Sequence, residues 1–401
     1  MAARDTTVTR VSGRRALATG GFRALEAEVH LHCGASGRAV VPADVSASGR
    51  SAATGIREIT MLVDPALQGL DARNRDQIDA NLLRLNNDSP VRIGTDVLAA
   101  CSIAALRAAA DAAGQPLFRY LQPEASRVPL PVVTTLLSAD PSAVFHRLAV
   151  IPACASGAEE ALDACAAIHA AAVELAPVSR AGIPAFADDE RGLELLVTAI
   201  ERAGFVPGEE IAIAAELHAT RLYRNGRYRG PHGEARDSEA WCELLADWVA
   251  RFPIALLEDP FAAADRVGQQ RFVRALGSLV RVGGHELLAC DAGRVADAAA
   301  ESLCGALIAS PEEVGTMSTL FAAFETARAA GWDTAVAADA EGGDDAAAIH
   351  LAVGWNASLL KLGSIADPGS VARWNELLRV EAGLRPTLAF AFPKAAAHLV
   401  H

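Results

Sequence analysis

Short apolar segments alternate with amphipathic helical patterns from about residue 129 onward, and this alternation constrains the fold more than any other feature. The helical patterns lie at 190–203, 239–251, 316–330 and 345–354. Such alternation predicts a parallel sheet, and eight strands suit a closed (β/α)8 barrel with functional residues at the carboxyl ends of its strands. The predicted strands are VVTTLL (132–137), LAVIP (148–152), IAIAAE (211–216), IALLE (254–258), VRVGG (280–284), GALIA (305–309), TAVAA (334–338) and SLLKL (358–362).

The first part of the chain has a different pattern. Residues 22–41 predict a β-hairpin, and the Ser-, Ala- and Gly-rich stretch 42–55 predicts a mobile loop. Helical patterns follow at 73–86 and 95–113, and Gly114 provides a stop signal for the second. We therefore expect a small α+β domain before the barrel.

Length and composition limit the possible classes of protein. At 401 residues the chain exceeds one ordinary domain, and we predict domains at 1–128 and 129–401. A net charge of -13 argues against nucleic-acid binding, which requires a basic face. The seven cysteines form no CxxC pair, which predicts reduced thiols in a cytoplasmic protein. The start MAARDTTVTR lacks the apolar core of a signal peptide, and no run of about 18 apolar residues predicts a membrane span.

Polar side chains end three successive predicted strands of the barrel. Glu216 and Glu258 each end a strand, and His285 and Glu286 follow the next one. Oxygen ligands that converge in this way suit Mg²⁺, although the same side chains could instead cap helices or lie in surface loops. Lys361 ends the last strand and is either a functional group or a structural salt-bridge partner.

Eight stretches across nearly the whole chain form a recognisable series, in unbroken order. They are GRAVVP (37–42), ALRAAADAAGQPLFRYL (105–121), LPV (130–132), LLVTAIERAGFVPGEEIAIA (195–214), LLEDPF (256–261), EVGT (313–316), SLLKLGS (358–364) and ARWNELLRVE (372–381). Together these stretches resemble enolases. The resemblance implies an enolase-like (β/α)8 barrel with an N-terminal α+β capping domain, phosphopyruvate hydratase (lyase) chemistry and Mg²⁺. It also implies a homodimer, because enolases pair largely through the N-terminal domain, and Glu26 and Arg373 fall in segments that resemble those near that contact.

The resemblance places part of an enolase site on this chain. It puts Glu216 and Glu258 at two metal-ligand positions, and His285 and Glu286 in place of the third ligand motif, GDD. Lys361 matches the lysine that faces the substrate carboxylate. The metal is therefore expected to be Mg²⁺ in a weakened site.

Other positions of the enolase site hold different residues. Only two lysines occur in the chain, Lys361 and Lys394, so no second lysine is available as the base. Serine cannot act as a base without a neighbouring activator. The replacements are Ser310 for the base lysine, Ile183 and Arg147 for two glutamates, Ala338 for a histidine, and Asp339 within the phosphate-binding motif.

Three functions are compatible with this pattern. The first is a pseudoenzyme or scaffold that binds a small anionic ligand or a partner and has lost most 2-phosphoglycerate dehydration. The second is an active lyase or transferase with altered chemistry in a biosynthetic pathway, similar to carboxyphosphonoenolpyruvate synthase. The third is a genuine phosphopyruvate hydratase with misaligned motifs. In the second case the new functional groups would be His146, Arg147, His218, His285 and Asp339.

Overall fold

The computed structural model describes residues 4–21, 23–42, 51–88, 93–179, 181–338, 346–384 and 389–391. By its internal contacts the chain divides into two units. The N-terminal unit comprises Met1–Ala125, Ser310–Ala322 and Val336–Asn356. The barrel unit comprises Ser126–Ala309, Ala323–Ala335 and Ala357–His401.

An antiparallel sheet of three strands forms one layer of the N-terminal unit. Its strands are β1 (Val8–Leu17), β2 (Arg23–Leu31) and β3 (Ser36–Pro42), in that order across the sheet. Strands β2 and β3 confirm the predicted hairpin, whereas β1 was not predicted from the sequence. Buried and partly exposed residues alternate along most of β2, which is the pattern of a sheet with one face covered.

Five helices accompany this sheet, and the longest one packs on it. The two predicted helices are confirmed to within two residues, at Arg75–Asp88 and Thr95–Ala113. Of the predicted loop at 42–55, residues 43–50 lie outside the described residues, and a helix begins at Ala52 with Ser51 as its N-cap. The helices are α1 (Ala52–Glu58), α2 (Asp64–Leu67), α3 (Arg75–Asp88), α4 (Thr95–Ala113) and α5 (Leu117–Leu121), with a π-helical turn at Ile59–Val63.

Helix α4 lies very close to the backbone of β3. A Cβ atom placed on Gly37 would come within 2.2 Å of the carbonyl oxygen of Ala104 and 2.3 Å of the amide nitrogen of Ala108. Only glycine leaves room for this approach. Gly114 ends the helix in the left-handed conformation (φ 66°), as the stop signal in the sequence predicts.

A buried hydrogen-bond network joins α3 and α4 to the segment at Ser310–Ala322. The Ser102 hydroxyl donates to Asp79 Oδ1 at 2.6 Å, and the amide of Met317 donates to the Ser102 oxygen at 3.0 Å. The amide of Ser318 donates to Asp79 Oδ2 at 2.7 Å. Asp79 thus satisfies a backbone donor in the first turn of the helix that begins at Met317.

The second part of the chain forms a closed barrel of eight strands, as predicted. The barrel consists of β4, β5, β7 and β11–β15 in chain order, and β15 pairs with β4 to close it. The strands from this part of the chain are β4 (Arg127–Ser138), β5 (Arg147–Pro152), β6 (Ala185–Phe186), β7 (Ile211–Glu216), β8 (Tyr223–Arg224), β9 (Arg227–Arg229), β10 (Ala235–Arg236), β11 (Ile254–Glu258), β12 (Arg281–Gly284), β13 (Ala306–Ala309), β14 (Asp333–Ala337), β15 (Leu359–Gly363) and β16 (Ala389–Ala391).

One barrel strand corrects the expectation of an entirely parallel sheet. Strand β5 is antiparallel to both of its neighbours, β4 and β7. The connection between β4 and β5, residues 139–146, is too short for the crossover that parallel neighbours require, so the chain turns back directly.

Helices follow most of the barrel strands, and the four that were predicted in this region are confirmed to within two residues. None of the helices in the described ranges is long and apolar enough to cross a membrane. The helices are α6 (Ala158–Leu175), α7 (Asp189–Arg202), α8 (Ser238–Arg251), α9 (Arg266–Leu276), α10 (Ala292–Ala300), α11 (Met317–Ala329), α12 (Ala347–Gly354) and α13 (Pro368–Leu384), with a short 3₁₀ turn at Ala219–Leu222.

We predict that Gly37→Ala destabilises the protein by about 1–3 kcal/mol, because the new methyl group would overlap the backbone of α4 and force the two elements apart. Gly293→Ala is the control, since a Cβ there meets only the flexible Asp291 carboxylate, at 3.1 Å. Chemical denaturation of both variants measures the difference. Equal stability of Gly37→Ala and the unsubstituted protein would show that β3 and α4 are not packed this closely.

Candidate functional site

Strand register places three ionisable residues side by side across neighbouring barrel strands. Glu216, the last residue of β7, lies opposite Glu258 at the end of β11. On its other side Glu216 lies opposite Arg147, the first residue of β5. Because β5 runs in the opposite direction, its beginning lies at the same end of the barrel as the carboxyl ends of β7 and β11. The reversed strand therefore brings Arg147 to the candidate site.

The ammonium group of Lys361 joins the two glutamates. Its Nζ donates to Glu216 Oε2 at 2.8 Å and to Glu258 Oε2 at 2.6 Å. All three residues are buried, with between 4 and 7% of their surface exposed. The sequence predicted that Glu216 and Glu258 converge, and it left open whether Lys361 is a functional group or a salt-bridge partner. In the structure the Lys361 ammonium group lies between the two carboxylates and binds both of them.

The two glutamates differ in proton affinity. Burial raises the pKa of Glu258 to about 7, with the charge of Glu216 acting in the same direction and Lys361 opposing it. Burial also acts to raise the pKa of Glu216, but Lys361, Arg147 and hydrogen bonds from two histidines outweigh it and hold that pKa well below its ordinary value. Glu216 is therefore the firmly ionised member of the pair.

Two histidines contact the second oxygen of Glu216. His218 Nε2 lies 2.8 Å and His146 Nδ1 lies 3.1 Å from Glu216 Oε1. His218 adopts the left-handed backbone conformation, with φ 52° and ψ 52°. Burial lowers the pKa of His218, but hydrogen bonds with Glu216 and Glu286 outweigh that effect and raise it to about 10.

Glu286 and Asp259 hold His218 from the other side. Glu286 Oε1 lies 3.1 Å from His218 Nδ1, so the imidazole ring bridges two carboxylates. The backbone amides of His285 and Glu286 donate to the two carboxylate oxygens of Asp259, at 2.9 and 3.1 Å. Asp259, also left-handed at φ 46°, thereby fixes the start of the loop that carries Glu286. His285 Nδ1 lies 3.9 Å from Glu258 Oε1.

The connection that carries His146 is also fixed. The Asp189 carboxylate accepts hydrogen bonds from the amides of Val144 and Phe145, at 3.0 and 2.8 Å. The Arg221 guanidinium donates to the carbonyl oxygens of three residues in the same connection (Pro141, Ala143, Val144). The amide of His146 itself donates to the carbonyl oxygen of Glu216 at 2.7 Å. The backbone therefore sets the position of His146 relative to Glu216.

A cavity of about 10 Å³ lies among Glu216, Glu258, Lys361 and the neighbouring side chains of the barrel strands. This volume holds at most one water molecule. This interior cavity is therefore too small for an organic acid.

The positions that differ from the enolase pattern are largely buried. Ser310 directly follows β13, is 3% exposed, and its hydroxyl has no hydrogen-bond partner among the described residues. Ile183 and Ala338 are buried apolar side chains. Asp339 lies outside the described residues.

The described residues contain three clusters whose ligand atoms are close enough to hold a metal ion. The four predicted ligands do not form one of these clusters but are divided among them. His146, His218 and Asp259 complete the clusters and were not predicted as ligands; the first two were considered only as functional groups for altered chemistry. A signal for two of them exists in the sequence, because His218 and Asp259 lie one or two positions after the predicted ligands Glu216 and Glu258. The clusters are His146–Glu216–His218, His218–Asp259–Glu286 and Glu258–Asp259–His285.

Comparison with protein families agrees with this architecture. The family model described as the enolase C-terminal TIM barrel domain matches residues 137–398, and the enolase N-terminal domain matches residues 8–121. The chain belongs to the enolase family. Enolases typically use Mg²⁺, so the acidic groups at the barrel mouth are the place where that ion is expected.

The donor atoms of this enolase-family chain suit Mg²⁺ poorly. Mg²⁺ requires six oxygen ligands in near-octahedral geometry. Here one oxygen of Glu216 and one of Glu258 accept hydrogen bonds from the Lys361 ammonium group, and the remaining oxygen of Glu216 faces two imidazole nitrogens. A lysine ammonium and two imidazoles thus lie where an enolase magnesium site needs oxygen atoms.

We predict that Lys361→Met destabilises the fold by about 3–5 kcal/mol, because it leaves two buried carboxylates without their shared cation. The triple variant Glu216→Gln, Glu258→Gln, Lys361→Met is the matched control and should recover part of this loss, since both carboxylates are removed together with the cation they share, while Arg147 and His218 lose the charge of Glu216. Urea denaturation at neutral pH measures both. A loss below about 1 kcal/mol, the range of exposed ion pairs, would indicate that water reaches the cluster.

Proposed function

We propose that this enolase-family chain is a pseudoenzyme for 2-phosphoglycerate dehydration, serving as a scaffold that binds a small anionic ligand or a partner. The observation that carries the proposal is the position of Lys361, whose ammonium group is bound to Glu216 and Glu258. A lysine that binds two buried carboxylates in this way does not bind a substrate carboxylate as well.

The missing base supports the loss of dehydration. In enolase-superfamily chemistry a Lys or His base removes a weakly acidic proton while Mg²⁺ stabilises the product anion. Ser310 stands at the base position, and its hydroxyl has no hydrogen-bond partner among the described residues that could activate it. Loss of a general base alone typically costs about 10²–10⁴-fold in rate. Ile183 and Ala338 add no acid or base.

A second candidate function is an enolase-superfamily lyase or transferase with altered chemistry. The hydrogen-bonded chain from His146 through Glu216 and His218 to Glu286 favours it, because such a chain can hold and transfer protons. A genuine phosphopyruvate hydratase is the least favoured alternative, since it would need a base that the matched positions do not supply.

We propose a cytoplasmic location on chemical grounds. None of the seven cysteines, all of which lie in the described ranges, forms a disulfide, and four of them are buried. Unpaired thiols persist most readily in a reducing compartment.

We predict that the purified protein with Mg²⁺ forms phosphoenolpyruvate from 2-phosphoglycerate at a rate several orders of magnitude below that of an ordinary enolase assayed in parallel. Ser310→Lys alone should not restore the rate, because catalytic residues act together and their effects are strongly non-additive. The increase in phosphoenolpyruvate absorbance measures both. A turnover near the typical enzyme median of about 10 s⁻¹ would overturn the proposal.

We also propose that the protein forms a homodimer through its N-terminal domain. Arg373 is 1% exposed and Glu26 pairs with Arg14 within the N-terminal sheet, so neither side chain is itself a fully exposed contact. We expect light scattering at micromolar concentration to give twice the mass of 41.7 kDa. A mass that stays monomeric at the highest soluble concentration would contradict the dimer.

A further inference from the structure

Three ligand atoms of the right kind for a transition metal converge at the mouth of the barrel. They are His146 Nδ1, His218 Nε2 and Glu216 Oε1, and all lie within 4.8 Å of one another. The two nitrogens lie 3.1 and 2.8 Å from the carboxylate oxygen. Ligand atoms around an ion at bond lengths of about 2.0–2.2 Å are separated by roughly 3 Å, so an ion would require only small movements.

The chemistry of these atoms selects the class of ion. Two imidazoles and one carboxylate suit Zn²⁺, Co²⁺ or Fe²⁺, whereas Mg²⁺ prefers oxygen ligands alone. Three protein ligands also leave positions for water, as in catalytic rather than structural zinc sites. We propose that His146, Glu216 and His218 bind a divalent transition-metal ion of the zinc class in preference to Mg²⁺.

The neighbours of His218 support this assignment. Metal-binding histidines usually hydrogen-bond through their other ring nitrogen to a carboxylate, which fixes the tautomer and the orientation of the ring. His218 has this arrangement, because Glu286 Oε1 lies 3.1 Å from its Nδ1 while its Nε2 faces Glu216. Asp259 in turn positions the backbone of Glu286.

The backbone of His218 is in the left-handed conformation. Such strain in a non-glycine residue clusters at functional sites. At His218 this conformation is retained by hydrogen bonds from the neighbouring amides of Leu217 and Ala219 to the carbonyls of Glu258 and Asp259, both at 3.1 Å. The strained turn directs the imidazole toward Glu216.

The surrounding charges permit a cation. Lys361 binds the other oxygen of Glu216, and Arg147 Nε lies 3.8 Å from Oε1. Four carboxyl groups lie around the three ligand atoms (Glu216, Glu258, Asp259, Glu286), and a bound ion would displace the proton between His218 Nε2 and Glu216. His146 keeps 45% of its side-chain surface exposed in the chain, which leaves a path for an ion.

The test uses the full-length protein after treatment with a chelator. We expect Zn²⁺ to bind with a saturable calorimetric signal and to raise the melting temperature, while Mg²⁺ at the same concentration does neither. Co²⁺ should give the weak visible absorption of nitrogen and oxygen ligands without thiolate charge-transfer bands. That spectrum distinguishes this site from binding at the seven cysteines.

Matched variants locate the site. His146→Gln and His218→Gln should each weaken Zn²⁺ binding at least tenfold, and Glu286→Gln should weaken it by about 10–100-fold because it orients His218. His232→Gln, an exposed histidine elsewhere in the barrel unit, is the control and should bind as the unsubstituted protein does. Near-ultraviolet circular dichroism checks the folding of each variant. Because His146 is partly exposed, His146→Gln should leave the buried contacts of Lys361 with Glu216 and Glu258 unchanged.

Three results would overturn the proposal. They are no saturable Zn²⁺ binding, equal affinity for Mg²⁺, and unchanged Zn²⁺ affinity in either His146→Gln or His218→Gln. These measurements do not depend on catalysis. Formation of phosphoenolpyruvate with Mg²⁺ would therefore overturn the proposed function without affecting the metal-binding proposal.

Discussion

A single buried ammonium group stabilises the centre of this barrel. Glu216 and Glu258 end adjacent strands, and their carboxylates would repel each other in a medium where water cannot screen them. Lys361 reaches both from β15 and supplies the opposite charge at hydrogen-bond distance. The two strand ends therefore stay in register although both carry acidic side chains. The other side chains of the site contact these two carboxylates.

The same interaction changes what an enolase-family site can do. The Lys361 ammonium group binds one oxygen of each glutamate, so these oxygens face a cation of the protein itself. Without the lysine the two buried carboxyl groups would lose the cation that they share. The proposed loss of the original chemistry is thus consistent with retention of the fold.

The outer oxygen of Glu216 has a different environment. It faces two histidines, one carried by the reversed strand connection and one by a left-handed turn. Asp189, Arg221 and Asp259 hold the backbone on either side through hydrogen bonds to amides and carbonyls. These hydrogen bonds set the positions of the two imidazoles relative to Glu216, as the proposed metal site requires.

The sequence by itself determined the barrel and the meeting of Glu216 with Glu258. Each predicted barrel strand overlaps an observed one, because short apolar runs bounded by helices have few other ways to bury themselves. The carboxyl ends of neighbouring parallel strands lie at one edge, so the approach of the two glutamates also followed from local pattern. The direction of β5, and with it the placement of His146 and Arg147, was not predicted, although the short connection at 139–146 favours an antiparallel strand. Only the tertiary structure decided the pairing of Lys361 with Glu216, 145 positions away, and of His218 with Glu216 and Glu286. These contacts depend on closure of the barrel and on the backbone conformation of individual residues such as His218. Neither feature leaves a periodic signal in the sequence.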